Sequence, residues 1–297
     1  MMLHLVIEGH GVSLAGALLL GLGVGYVAGL FGIGGGILLT PLLHVVFGVP
    51  LPIAVGTSLC QMVGTALAAL LRHRHVGHGD RRVDVLMLPG AVLGAAFGAR
   101  TLAWLSRAGD VAIAGSSIPA VTLVVEGAYA LGLVALVLLF WGRDATARAR
   151  ARPGPLARFR LGPRVDLPGV ELYGVSAIAL AEAGLVLGFV SGMLGLGGGI
   201  LMVPLLTYGL GLPMRQAAGT GLLVLVASAS IGTVVHALEG HVHLGLAMVL
   251  LVGASVTAQL GALATDRVPG HVLKRLFALV VLVTIGAVIW DIGRRLS

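Results

Sequence analysis

The sequence has little charge: Lys, Arg, Asp and Glu make up only 10% of 297 residues, where a soluble domain carries about 25%. Its single cysteine, Cys60, excludes an intramolecular disulfide and any paired-cysteine metal or redox motif. Set inside an apolar segment, that thiol reads as buried and inert. Aromatic residues are few, at 5%, and are not interleaved with the basic ones, so the net charge of +7 does not describe a nucleic-acid surface. Met1 to His10 contains no Lys or Arg. The basic region of a cleaved secretory signal is therefore missing, and the first apolar run is expected to be retained as a helix.

What is present is apolar. The chain is 58% hydrophobic, has a mean hydropathy of +1.05 and contains 47 Gly, a composition suited to lipid, where small residues let helices approach closely. A spanning helix needs about 20 apolar residues. Runs of that kind occupy 11–32, 53–71, 83–105, 118–141, 173–195, 214–237, 244–263 and 273–292. Two further runs, 37–47 and 200–210, are each about 11 residues, or roughly 16 Å of helix, half the hydrocarbon thickness. Each follows a glycine cluster and stops short of Pro50 or Pro213, as a half-helix would.

The chain repeats itself. Residues 25–99 and 188–262 align without a gap at a shift of 163, with about 29 of 75 positions identical. The core of the match sets residues 29–43 (GLFGIGGGILLTPLL) beside 192–206 (GMLGLGGGILMVPLL). Further on, Gly56-Thr57 matches Gly219-Thr220, His73 matches His236, Gly77-His78 matches Gly240-His241, and Gly98-Ala99 matches Gly261-Ala262. Between the halves, 142–172 holds seven Arg and four Pro, a composition that is expected neither to span nor to pack. The positive-inside rule puts this stretch and the Arg-rich loop 72–82 in the cytoplasm, and the Glu239–His243 loop, without Lys or Arg, on the other side.

The expected fold is therefore all-α and polytopic. Two inverted repeats of about five helical elements each carry glycine-broken half-helices, over 1–141 and 173–297, joined by a cytoplasmic linker at 142–172. The expected location is a bacterial inner membrane, with the bilayer as partner and a homo-oligomer compatible with the pattern.

In each break the chain ends one helix and begins another, which leaves backbone N–H groups and the positive end of a helix dipole exposed. Such ends bind anions without a cationic side chain. The expected ligands are the amides of Gly34, Gly35, Gly36 and Ile37 and of Gly197, Gly198, Gly199 and Ile200; tight helix crossing is the alternative use of the same glycines. Thr57, Ser58, Gln61 and Thr220 follow as uncharged donors, to substrate oxygens or to neighbouring helices. Arg100 and Gln259 lie near the Gly98 and Gly261 pair, Arg100 as an anion partner or as a snorkelling side chain.

Glu126 and Glu182 are the acids well inside expected spans, candidates for proton coupling or for an interfacial position. His44 could titrate near neutral pH or, since its repeat counterpart is Thr207, serve packing. His73, His75 and His78 have metal-like spacing, but four nearby Arg oppose a cation and favour a solvated loop. No metal site, cofactor site, nucleophile–base pair or catalytic carboxylate pair is expected, and a missing phosphate-binding loop argues against ATP-driven transport.

The twin motifs at 29–43 and 192–206, the following Gly-Thr pairs and the stretch Thr257-Ala258-Gln259-Leu260-Gly261 resemble the TauE/SafE family of membrane permeases. The resemblance implies an exporter of sulfite or of a small organosulfonate such as sulfoacetate, driven by a proton or sodium gradient. Thr257, where the first half has Gly94, departs from the pattern. The readings set beside this one are a divalent metal-ion transporter using the histidines, and a non-transporting assembly or sensory protein docking through the linker.

Overall fold

Where lipid offers no hydrogen bonds, an apolar segment must satisfy its own backbone, and the helix is the structure that does so within one segment. The structure, a computed structural model, describes residues 4–7, 10–31, 34–76, 80–113, 116–141, 155–156, 162–170, 172–212, 214–268, 272, 276, 279–286, 290 and 293. The expectations for His78 and for most of 142–161 lie outside those residues.

Strands β1 (His4–Ile7) and β2 (His10–Ser13) lead into α1 (Leu14–Phe31), then α2 (Gly36–Phe47), α3 (Leu51–Val76) and α4 (Arg81–Ser106). Strands β3 (Asp110–Ile113) and β4 (Ser116–Pro119) lead into α5 (Ala120–Trp141). Strands β5 (Arg164–Leu167) and β6 (Leu172–Ser176) lead into α6 (Ala177–Leu194), α7 (Gly199–Pro204) and a π-helical turn (Leu205–Leu210). Then come α8 (Met214–Gly219), α9 (Leu222–Leu238) and α10 (Leu244–Arg267). Among the described residues, Leu14–Phe31, Leu51–Leu71, Arg81–Ser106, Ala177–Leu194 and Leu244–Gly261 are long and apolar enough to cross a membrane.

The all-α expectation holds for this helical body, with three departures. Short antiparallel hairpins precede α1, α5 and α6, where segments too short and polar for a helix pair locally instead. The run 214–237, expected as one helix, is interrupted at Thr220 and Gly221, because Gly221 adopts a φ of +95°. The linker was expected not to pack, yet its second part does. Leu167 and Val170 are buried, Leu156 N–H donates to the Gly209 carbonyl at 2.9 Å, and an Arg82 guanidinium N–H donates to the Asp166 carbonyl at 3.2 Å. Apolar residues among the Arg and Pro draw this stretch onto the helices.

Glycines set how the helices meet. On α1, Gly21, Gly25 and Gly29 lie directly on the α10 backbone at Leu250, Ala254 and Ala258. On α6, Gly184, Gly188 and Gly192 lie in the same way on α4 at Met87, Ala91 and Ala95. A shift of 163 carries the first set of contacts onto the second. Residue numbers rise together across both pairs, so each pair runs parallel, at a separation that leaves no room for side chains. At one position the two seams differ: Gly94 rests on the Leu185 carbonyl, whereas its counterpart Thr257 donates a hydrogen bond to the Leu22 carbonyl at 2.6 Å.

The remaining directions follow from end contacts. Gly56 lies by His236 and Gly232 by Leu59, so α3 and α9 are antiparallel. Asp84 meets Gly221 at one end and Arg107 pairs with Glu239 at the other, so α4 and α9 are parallel. Thr57 meets His243 and Gly64 meets Leu251, so α3 and α10 are parallel. Helices α1, α3 and α10 thus point one way, and α4, α6 and α9 the other.

Candidate functional site

Both glycine clusters end a long helix and start a short one. Gly34 and Gly35 adopt φ of +78° and +84°, and Gly197 and Gly198 adopt +66° and +69°. A residue with a Cβ would pay about 1–2 kcal/mol to sit in that region. The Gly35 carbonyl accepts from Leu38 N–H (3.2 Å) and Leu39 N–H (3.3 Å), and the Gly198 carbonyl accepts from Leu201 N–H (3.1 Å) and Met202 N–H (2.8 Å). The amides of Gly36 and Ile37, and of Gly199 and Ile200, come before the first helical bond and lack an intrahelical acceptor.

The two breaks touch each other. A Cβ on Gly36 would collide with the Gly195 carbonyl oxygen and the Met62 sulfur, and Gly34 and Gly197 both abut Met62 and Leu225. Met62, from α3, and Leu225, from α9, are repeat counterparts and are buried. Two apolar side chains therefore fill the gap between the two helix starts. The sequence reading overlooked both, because neither carries a polar group; their signal is the shared register with the breaks.

The uncharged donors are distributed differently from their order in the sequence. Ser58 faces the first half-helix: its hydroxyl lies 2.6 Å from that of Thr40 and donates to the Ala54 carbonyl at 2.7 Å. Thr57 and Thr220 go to opposite ends of the helix body. The Thr57 Oγ1 accepts the backbone N–H of His243, and the Thr220 Oγ1 accepts that of Asp80, each at 3.1 Å. His243 and Asp80 cap α10 and α4, so each threonine holds the cap of a helix in the other half. Gln61 is buried, its Oε1 without a partner among the described residues, on the face of α3 that carries Ser58, Met62 and Thr65.

The titratable candidates separate. Glu126 on α5 and His44 on α2 come together, Nε2 to Oε1 at 3.5 Å, with both side chains buried. His44 Nδ1 lies 2.7 Å from the Val49 carbonyl oxygen. One turn further along α5, the Tyr129 hydroxyl donates to the Leu194 carbonyl at 2.8 Å. The Thr40 hydroxyl oxygen also lies 3.4 Å from the Gly195 carbonyl oxygen. A cleft beside Thr40, His44, Glu126 and Tyr129 has room for about one water molecule. Glu182 is not brought to this cluster; it is exposed in the second turn of α6.

One buried acid was missed. Asp84 stands at the edge of an expected span, and its carboxylate accepts the Gly221 N–H at 2.5 Å, at the start of α9. The positive end of that helix dipole favours a carboxylate there. Among the described residues no three His, Cys, Asp or Glu side chains gather as a metal site.

Comparison with known proteins extends these observations. The profile of the family described as "Sulfite exporter TauE/SafE" matches residues 17–288. Proteins from two strains of Xylella fastidiosa, each named a probable membrane transporter protein, are 30% and 31% identical over 270 residues, covering 90% of this chain and 91% of theirs. The Bacillus subtilis probable membrane transporter protein YunE is 28% identical over 253 residues, covering 82% of this chain and 85% of its own. No solved structure matches the chain.

Proposed function

The chain belongs to the TauE/SafE family of multi-pass membrane transporters, and from that premise we propose that it exports a small anion, sulfite or an organosulfonate such as sulfoacetate, as a secondary transporter. The observation that carries this reading is the contact between the two breaks, which directs two helix starts at one place. Backbone N–H groups and dipole ends gathered there suit an anion of several oxygens. Gly34–Ile37 and Gly197–Ile200 supply those amides, Ser58 and Gln61 are the side-chain donors on the same face of α3, and Thr57 and Thr220 act indirectly by holding the caps of α10 and α4. Family membership supports the sulfur oxyanion, while helix-end electrostatics supports an anion in general.

Alternating access needs two barriers that open in turn. Each helix in the set α1, α3, α4 points opposite to its counterpart 163 residues on, which supports two halves inverted in the bilayer. With 72–82 and 142–172 in the cytoplasm, Thr220 and Asp80 lie at the inner end and Thr57 and His243 at the outer end. Met62 and Leu225 occupy the space that substrate would take, so the observed conformation is a closed one.

The test is flux in proteoliposomes. Purified protein should move sulfite or sulfoacetate, and a folded protein that moves neither overturns the proposed cargo. Gly36→Ala isolates the site: Gly36 starts a helix without a positive φ, and alanine is intrinsically about 1 kcal/mol better in a helix than glycine. Its methyl meets the Gly195 carbonyl and Met62, so flux should fall at least about tenfold, the equivalent of 1.4 kcal/mol at the barrier. Unchanged flux in an inserted, folded variant would remove the breaks from the substrate path.

A further inference from the structure

We propose that the coupling ion is a proton, shared between His44 and Glu126 and linked to the second glycine break through Tyr129 and Thr40; this rests on the transporter reading above. The argument begins with the hydrogen-bond roles of His44. A carbonyl oxygen can only accept, so the 2.7 Å approach of Nδ1 to the Val49 carbonyl places a hydrogen on Nδ1. A neutral imidazole with that hydrogen presents a lone pair at Nε2, and Nε2 faces the Glu126 carboxyl at 3.5 Å. If Glu126 were ionised and His44 neutral, two acceptors would oppose each other in a buried site. One proton resolves the conflict, whether it rests on the imidazole or on the carboxyl. The pair is thus a one-proton site by geometry, buried at a depth where an ionisable group is costly without a role.

The surroundings fit that use. The cleft beside the pair is lined from α2, α3 and α5 by Thr40, Pro41, Val45, Leu51 and Tyr129, and Tyr129 is the further titratable group among these. Room for about one water gives the proton a carrier to and from the pair. Tyr129 lies one turn from Glu126 on α5, and Thr40 lies one turn from His44 on α2. Tyr129 donates to the Leu194 carbonyl that ends α6, and the Thr40 hydroxyl lies 3.4 Å from the next carbonyl oxygen, that of Gly195. Gly195 is the residue that Gly36 touches at the junction of the breaks. Loss of the proton to water sets His44 and Glu126 against each other, loosens α2 from α5, and releases their joint hold on the second break. The repeat counterpart of His44 is Thr207, so this switch belongs to one half alone.

The experiment uses methanesulfonate as probe, because sulfite itself titrates near neutral pH and would mimic coupling. In proteoliposomes of the full chain, a transmembrane pH gradient should drive wild-type methanesulfonate flux. In His44→Gln and Glu126→Gln the gradient-driven component should fall about tenfold, within the usual range of coupling between sites, while gradient-free exchange persists. Tyr129→Phe should uncouple flux from the gradient in the same way. Wild-type flux indifferent to the gradient, or variants that keep the gradient response, overturns the proton site and leaves anion transport standing. Infrared difference spectra of detergent-purified protein after a pH jump read the proton without any substrate. A protonated-carboxyl or an imidazolium band should be present, absent in both Glu126→Gln and His44→Gln. If the probe is not carried or a variant does not fold, the remaining spectra decide, and a wild type with neither band overturns the inference.

Discussion

Ser58 and Gly221 hold the same place in the two halves and behave in opposite ways. Ser58 lies within the unbroken α3, its hydroxyl donating back to Ala54 and meeting Thr40. Gly221 stands between α8 and α9 at a φ of +95°, and its N–H goes to the buried Asp84 carboxylate. The neighbours diverge likewise: Thr40, His44 and Gln61 correspond to Val203, Thr207 and Val224, and Asp84 corresponds to Ala247. Glycine seams, breaks and threonine latches are present twice, whereas the Thr40 hydroxyl, the His44 imidazole, the Gln61 amide and the Asp84 carboxylate are present once each. A barrier that opens alternately on two sides needs a duplicated frame, but a proton needs only one seat.

Exchanging the two residues would break this comparison most severely. Gly221→Ser should destabilise the protein by about 2–4 kcal/mol, since the left-handed backbone costs about 1–2 kcal/mol and a Cβ there runs into Met202. The reverse change, Ser58→Gly, should cost only about 1 kcal/mol for glycine within a helix. Unfolding by SDS in mixed micelles measures both, and equal losses would mean that the halves are interchangeable at this position. Asp84→Ala should follow, at about 1.5–3 kcal/mol for a lost hydrogen bond to a charged group, read by the same titration and by hydrogen exchange at the start of α9. No change in exchange there would show that the carboxylate does not hold that helix end. The smallest effect belongs to Thr257→Ala, which removes one interhelical bond worth about 0.6 kcal/mol without adding a helical glycine, and a loss several times larger would show that the α1–α10 seam depends on that bond.

The breaks were legible in the sequence because they are built from glycine, whose lack of a side chain is its contribution, so register alone revealed them, whereas the seams needed the structure. The half-helix at 37–47 was found on the same ground. Pairs formed across the fold were not legible. His44 and Glu126 were named separately, but their meeting depends on where α5 lies against α2, and 82 positions in the chain separate them. Thr57 and Thr220 looked like donors beside the breaks because they follow them, and the half-helices running out from the breaks carry the chain to the ends before either threonine is reached. The interruption at Gly221 escaped notice because an apolar run with three glycines reads as a continuous helix. Only Asp84, distant in sequence, shows what its N–H is bound to.

The seams between helices also constrain how the molecule is made. The grooved face of α1 fits α10, and that of α4 fits α6. Segments enter the membrane as the ribosome delivers them, N-terminal first, so α1 arrives long before the helix that covers it has been synthesised. Until then its glycines face lipid or the insertion machinery. A nascent chain stopped in the linker would present two unfilled grooves; α6 fills that of α4 first, and α10, the last made of these four helices, closes that of α1.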